Sequence, residues 1–309
     1  MILGIASNDM SNRALRYLSM TTNHMSKSME KLSSGYKINS AADGAAELVN
    51  SKKLESQIAG ESQAINNIEI GSAMLQTAEA ALDEIQNLSI ELRGLALSSA
   101  NDAANDSTMM SANDTQAVEI VNTIDRIATT TQFSTKYLLR GDFIDSGNPV
   151  TVNFDYAPSA TTTRYSTDTT ITSTKAVFQI GANAGQTIAI SIAAMTANNL
   201  GDATTGYLNT VRLNTAANAN TAIGIISIAL QDVSDLRAML GAYANNLEST
   251  KNNTIVAREN LEQADGVIRN TDMAREMSNF TLRQIQLQAV TAMAAQANMI
   301  PQSLLQLLS

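Results

Sequence analysis

Apolar positions along this chain gather into long helical stripes at both ends and on either side of a middle stretch of different character. Near the N-terminus Leu15, Leu18, Thr22, Met25, Met29, Leu32 and Tyr36 alternate steps of three and four. That period of 3.5 is the signature of a left-handed coiled-coil seam. Near the C-terminus Met273, Met277, Phe280, Leu287, Val290, Ala294, Ala297, Leu304 and Leu308 keep to one side of a helix. The remaining positions there are Asn, Gln, Thr and small residues with few charges, so the stripe needs a partner. Two such ends, far apart in the chain, predict a molecule that closes on itself and offers a surface to other copies. On periodicity alone a monomeric helical bundle meets the same pattern.

Between the ends the pattern is interrupted twice by similar joints. Leu32 to Leu48 reads LSSGYKINSAADGAAEL, with Gly35, Gly44 and a Ser/Asn/Asp cluster between helices. From about Ala45 a long helix follows, striped by Leu54, Ile58, Ile65, Ile68, Leu75, Ala78, Leu82, Ile85, Leu92 and Leu95. It far exceeds the mean globular helix of about 11–12 residues and belongs to a bundle or coiled coil. After a turn at Ser98–Thr108, a helix is expected over about Met110–Thr130, with Val118, Val121, Ile124 and Ile127 inward. Residues 142–221 are rich in Thr, Ser, Asn and Gly. Alternation appears at Val150–Tyr156 and again in FQIGANAGQTIAISI (Phe178–Ile192), where an Asn-Ala-Gly turn predicts a hairpin. Helix returns from about Thr221 to Ile268, and Ala264–Asp272 mirrors the first joint. The expected fold is mainly α: a long antiparallel helical bundle or coiled coil with both termini paired, plus a small β-hairpin region.

Composition sharpens this picture. Aromatic residues make up 4% with no Trp, while Met numbers 14, a mixture that suits close helix–helix packing. Charged residues are 16%, below the roughly 25% of typical globular proteins, so the surface is either uncharged polar or covered by partners. A net charge of −9 without any Lys/Arg run argues against nucleic acid. Cysteine is absent, which removes disulfides, thiolate metal sites and cysteine nucleophiles. The opening MILGIASNDMSNRAL lacks a basic n-region and a continuous apolar h-region, so no cleaved signal peptide is expected. No apolar run is long enough to insert in a membrane. The single histidine, His24, stands alone, and no Walker loop, HExxH or catalytic constellation occurs. Neither an enzyme nor a cofactor is expected.

Several separate motifs resemble bacterial flagellin. They are KLSSGYKINSAADGAAEL, the Asp125-Arg126 and Thr131-Gln132-Phe133 pieces of TIDRIATTTQFSTKYLL, FQIGANAGQTIAISI, DLRAMLGAYANNLEST, RNTDMAREMSNFT and AAQANMIPQSLLQLL. The resemblance covers residues 1–140 and 178–309 and leaves the Thr-rich 142–177 outside it. It implies a domain formed by 1–45 with 270–309, a helical rod domain formed by 46–141 with 178–269 that carries the hairpin 178–192, and a variable segment 142–177. It further implies a homopolymer: a structural, extracellular filament subunit for swimming whose ends fold on assembly. The assembly residues would be Leu15, Leu18, Met25, Met29, Leu32, Tyr36, Met273, Met277, Phe280, Leu287, Val290, Leu304 and Leu308. Partners implied are hook-associated and cap proteins, an export chaperone on Met277–Leu308 and the flagellar type III export apparatus. Exposed Thr161, Thr162, Thr163, Ser166 and Thr167 are candidates for O-linked sugar.

The sequence also departs from the family's pattern. Flagellins recognised by the vertebrate innate-immune receptor carry Arg at the place of Glu91, Glu at Gly94 and Glu at Gln116, while Arg93 and Leu95 are kept. The reversed charge at Glu91 predicts weak receptor activation, although a solvated helix residue would look the same. A hook–filament junction protein shares related termini and is the alternative within the flagellum, and a soluble helical scaffold is the alternative outside it.

Overall fold

The computed structural model describes residues 9–101, 106–141 and 174–308. Among the described residues there are five helices: α1 (Asp9–Ser34), α2 (Ala45–Ser99), α3 (Ser107–Thr130), α4 (Ala216–Arg269) and α5 (Met273–Leu308). The strand pairs described between α3 and α4 are antiparallel: β1 (Gln132–Phe133) with β2 (Lys136–Tyr137), β3 (Thr174–Gln179) with β4 (Thr187–Ile192), and β5 (Gly201–Asp202) with β6 (Gly206–Tyr207). The chain divides into two compact units, Met1–Ala59 with Arg258–Ser309 and Gly60–Ala257. The helices α2 and α4 each contribute a segment to both, so the division falls inside them rather than at the joints.

In the unit Gly60–Ala257 one apolar cluster draws on α2, α3, α4, the hairpin β3–β4 and the loops between them. Leu82, Ile85 and Leu92 of α2, Ile124 of α3, Val233 of α4 and Ile190 and Ile192 of β4 are fully buried in it. A strict one-sided stripe explains why these helices form: each long rod can hide its apolar face only against the others. Polar side chains on the flanks fix direction. Lys251 Nζ donates to Glu69 Oε1 at 2.6 Å, and Arg237 Nη1 lies 3.0 Å from Asp83 Oδ1. The start of α2 therefore faces the end of α4, an antiparallel pair. Similarly, Asn113 Nδ2 donates to Ser99 Oγ at 2.9 Å across the α2–α3 turn. Asp106 caps α3, its Oδ1 accepting from Met109 N at 2.8 Å.

The hairpin β3–β4 packs on the rods. Its register pairs Phe178 with Ile188 and Ala176 with Ile190, and the turn places Gly185 before β4. A Cβ on Gly71 of α2 would sit 3.5 Å from the Phe178 ring and 3.4 Å from Leu247 of α4. A Cβ on Gly60 would meet the Ala182 methyl at 2.7 Å, so only glycine lets the hairpin tip approach α2 this closely. Beyond the hairpin, carboxylates of the rods pin the loops: Asp125 Oδ1 accepts from Ala197 N at 3.2 Å, and Asp114 Oδ1 from Leu213 N at 2.5 Å. The sequence reading began the hairpin at Phe178; the pairing starts at Thr174. The strand expected at Val150–Tyr156 lies outside the described residues, as does all of 142–173.

Candidate assembly interface

In the other unit α1 and α5 lie antiparallel. Ser11 Oγ donates to Asn298 Oδ1 at 2.7 Å at one end, and Tyr36 bridges Asn270 at the other. The faces that meet are themselves heptad stripes. On α1 they are Ala14, Leu18, Thr21, Met25, Ser28 and Leu32; on α5 they are Phe280, Arg283, Leu287, Val290, Ala294 and Ala297. Full burial falls mainly on small side chains: Thr21 at 9%, Ser28 at 8%, Val290 at 9% and Ala297 at 4% exposure.

Here the sequence expectation needs correction. Leu18, Met25 and Leu32 do face α5, but Leu15, Thr22, Met29 and Tyr36 do not; they are exposed. The seam uses the stripe one residue earlier, Ala14, Thr21 and Ser28, in place of Leu15, Thr22 and Met29, which exchanges the bulky Leu15 and Met29 for small residues. Both stripes keep the same 3.5 period, and small residues let the helix backbones approach closely, so periodicity alone could not choose between them. On α5 Phe280 and Leu287 are half-buried and Val290 buried, whereas Met273 and Met277 are exposed. The side chains of Leu304 and Leu308 lie outside the described residues.

What the pairing leaves uncovered is large and apolar. On α1, Met10 and Tyr17 join Leu15, Met20 and Met29 on the surface. On α5, Leu282, Ile285 and Met299 lie on the far side from the seam, with Ile285 61% exposed. The charged residues of α5 are Arg275, Glu276 and Arg283, so from Gln284 onward the helix presents no charge in any direction. Gln, Thr, Asn and Ser are the polar residues left in that stretch, so no charged face marks one side as the solvent side. The sequence reading missed Leu282, Ile285, Met293 and Met299 because it followed a single stripe; the signal for them was the scarcity of charge itself.

The joint at the base of this pair is closely bonded. Gly35, at φ +76°, closes α1 with its N–H donating to Lys31 O at 2.9 Å, a left-handed cap that favours glycine. Lys37 N then donates to Arg269 O at 2.7 Å, and Thr271 N to Gly35 O at 2.9 Å. The Arg269 guanidinium stacks 4.2 Å over the Tyr36 ring and stands 3.8 Å from Glu55 Oε2. Hydrogen bonds from the Ser40 hydroxyl at 2.8 Å and its N–H at 3.0 Å hold the Asp43 carboxyl below its ordinary value of 3.8. Lys52, 2.6 Å from Glu55, does the same for that carboxyl, helped by the charge of Arg269. Sequence reading placed the joint correctly but saw only its turn residues.

The remaining candidates are placed as follows. In the unit Gly60–Ala257, Glu91, Arg93 and Gln116 are exposed and Leu95 half-buried, and Gln116 Nε2 donates to Glu91 Oε1 at 3.4 Å. Thr161, Thr162, Thr163, Ser166 and Thr167 lie outside the described residues. His24 is exposed, and among the described residues no group of His, Cys, Asp and Glu could hold a metal ion. No described helix is long and apolar enough to cross a membrane.

Comparison with known proteins gives this geometry its context. Residues 5–143 match the family described as the bacterial flagellin N-terminal helical region, and residues 223–308 match the C-terminal helical region. The flagellar filament 31.3 kDa core protein of Treponema maltophilum is 37% identical over 293 residues, 95% of each chain. A flagellin of Bacillus subtilis strain 168 is 37% identical over 316 residues, 95% of this chain and 96% of its own. A solved chain assigned to a flagellar hook-associated protein of Vibrio parahaemolyticus superposes with a TM-score of 0.55 at 16% identity, over 74% of this chain and 99% of that one. At that identity the likeness is one of fold. Two family regions in their proper order, and relatives matched almost end to end, place this chain among the bacterial flagellins, the structural subunits of the flagellar filament.

Proposed function

We propose that copies of this flagellin polymerise through the outward apolar faces of α1 and α5, and that both helices reach their stable form only when neighbouring copies cover them. The observation that carries this reading is the mismatch between the two sides of the pair. Full burial in the intramolecular seam falls mainly on small residues, with Leu18, Met25, Leu32, Phe280 and Leu287 only half-buried, while Leu15, Met20, Met29, Leu282, Ile285 and Met299 face outward. A narrow seam stabilises the free pair weakly, and the large outward residues supply burial only on association. Identical copies meeting head to tail, rather than around a closed two-fold axis, extend the contact into a filament. The terminal pair, 1–45 with 270–309, forms the innermost layer, where a helix without a charged face is covered by neighbouring copies. The helical rods are 46–141 and 178–269, with 142–177 as the variable part. Such a filament, extracellular and with hook-associated and cap proteins as partners, transmits torque as thrust.

Before assembly the same faces need cover. A chaperone on Met277–Leu308 would hide them, and a chain without disulfides suits passage through a narrow export channel in an unfolded state. The Glu91–Gln116 hydrogen bond supports weak engagement of the innate-immune receptor, since it sets a carboxylate and its donor where recognised flagellins carry Arg and Glu. Full nanomolar activation in a cell reporter assay would contradict that.

The assembly proposal is tested by Leu282→Asp and Ile285→Asp added to filament seeds. Both residues are exposed in the single chain, so thermal unfolding should stay within about 0.5 kcal/mol of wild type. Elongation should nearly cease, because each new carboxylate would be buried without a partner. Elongation at the wild-type rate would refute the proposal.

A further inference from the structure

We propose that the exposed methionines of α1 and α5 form a peroxide-sensitive modification site whose sulfoxides hold the subunit out of the filament, an inference that rests on the assembly reading above. Methionine is concentrated where cover is missing. Met10, Met20 and Met29 on α1 and Met273, Met277, Met293 and Met299 on α5 are all about half exposed or more. In the unit Gly60–Ala257, by contrast, Met74, Met110 and Met195 are buried, Met239 is half-buried and Met109 is exposed. Leucine or isoleucine would give these faces equal apolar area. Methionine adds an unbranched side chain that adapts to a neighbour's shape, and a sulfur open to oxidants.

The chemistry is a two-electron oxygen transfer. A thioether lone pair attacks one oxygen of hydrogen peroxide, the S–O bond forms as the O–O bond breaks, and the departing hydroxide takes the proton of the sulfur-bound hydroxyl, leaving sulfoxide and water. Sulfur is oxidised and peroxide reduced, with no other reactant needed. The product keeps the length of the side chain but carries a strongly polar S=O acceptor. On a free helix that group is solvated. In a packed face without donors it is stranded, so the modified subunit disfavours the filament. The positions on both helices make the effect cumulative, and sulfoxide reductases return each sulfur to its original state. A methionine packed between copies is shielded, so sensitivity belongs to the free subunit.

The test treats free subunit and finished filament in parallel with dilute hydrogen peroxide and maps sulfoxides by peptide mass spectrometry. In the free subunit the α1 and α5 methionines should convert roughly tenfold faster than Met74 and Met195, with Met109 as the exposed reference. In the filament they should slow toward the rate of those buried two. Oxidised subunit should elongate seeds roughly tenfold more slowly, and treatment with both sulfoxide reductases should restore the rate. A variant with Met→Leu at these positions, whatever its untreated elongation rate, should keep that rate after peroxide. If that variant fails to elongate untreated, reductase rescue of the wild type decides the matter alone. Normal elongation by oxidised subunit, or reduction of the sulfoxides without recovery, overturns the proposal. Failure of the untreated wild type to elongate would instead bring down the assembly reading on which it rests.

Discussion

The two units of this molecule solve the problem of apolar surface in opposite ways. In Gly60–Ala257 the largest side chains point inward: Leu82, Ile85, Leu92, Ile124 and Leu208 are fully buried. In the α1–α5 pair full burial falls on Thr21, Ser28, Val290 and Ala297, the larger inward residues Leu18, Met25, Leu32, Phe280 and Leu287 are only half-buried, and Leu15, Met29, Leu282 and Ile285 point out. Both are helical and both follow heptads, so neither propensity nor period separates them. What separates them is where burial is completed. The first unit is finished within one chain, and the second leaves large apolar side chains exposed, which on the proposed reading a neighbour covers. A protein that must stay soluble before assembly and insoluble after it needs this division, because the stability of one part must not depend on the association of the other.

The contrast can be broken most severely inside the finished unit. Leu82→Ala removes a fully buried side chain from the shared cluster and should lower stability by about 2–5 kcal/mol in denaturant unfolding. Seeded elongation should suffer only as far as folded subunit is lost. In the pair, Ile285→Asp should give the reverse, an unchanged melting curve with elongation lost. An Ile285→Asp subunit that unfolds as readily as Leu82→Ala would erase the distinction.

Smaller changes sharpen it. Tyr36→Ala removes the ring under the Arg269 guanidinium, a contact worth about 0.5–2 kcal/mol, and should loosen the joint without touching the apolar cluster. Hydrogen exchange at Lys37 and Thr271, whose N–H groups bond across the joint, would register it. Asp106→Ala deletes the cap of α3 and should cost about 1 kcal/mol in the finished unit, with no effect on elongation at temperatures where the subunit is folded. The mildest perturbation is acid. Asp43 and Glu55 are both held below their ordinary values of 3.8 and 4.5, so their contribution is complete at neutral pH and is lost as pH falls past those values toward their lowered folded ones. A pH series of melting curves should show Asp43→Asn and Glu55→Gln flattening the acid limb. A limb identical to wild type would exclude these carboxylates as its cause.

How much of this was legible depended on whether a helix had one apolar face or several. The core stripe of α2, from Ile65 to Leu92, read correctly because the opposite face carries Glu69, Asp83 and Glu84, and a stripe bordered by charge has one interpretation. On α1 two stripes one residue apart share Leu18, Met25 and Leu32, and the bulkier choice looked better while the structure takes the smaller. On α5 the absence of charge left no polar face to define an inner one, so Leu282 and Ile285 went unnoticed. The hairpin announced itself through alternation around Asn183-Ala184-Gly185. The two-residue pairs β1–β2 and β5–β6 did not, since so few residues carry no period. Nor could any pattern show that Asp114, Asp125 and Asp232 would accept backbone N–H groups from loops distant in sequence. The joint was marked by Gly35 and its Ser/Asn/Asp cluster, but the Arg269–Tyr36 stack came only from bringing the two ends of the chain together.

The central claim is that the terminal pair is completed by neighbours while the other unit is complete alone. Amide hydrogen exchange on free subunit and on filament measures this directly, residue by residue. The account predicts that buried stretches of α2, α3 and α4 within Gly60–Ala257 are protected to the full unfolding stability in both forms. It also predicts that amides of α1 and α5 exchange almost freely in the subunit and become protected by orders of magnitude in the filament. Protection of α1 and α5 in the free subunit equal to that of α3 would contradict it.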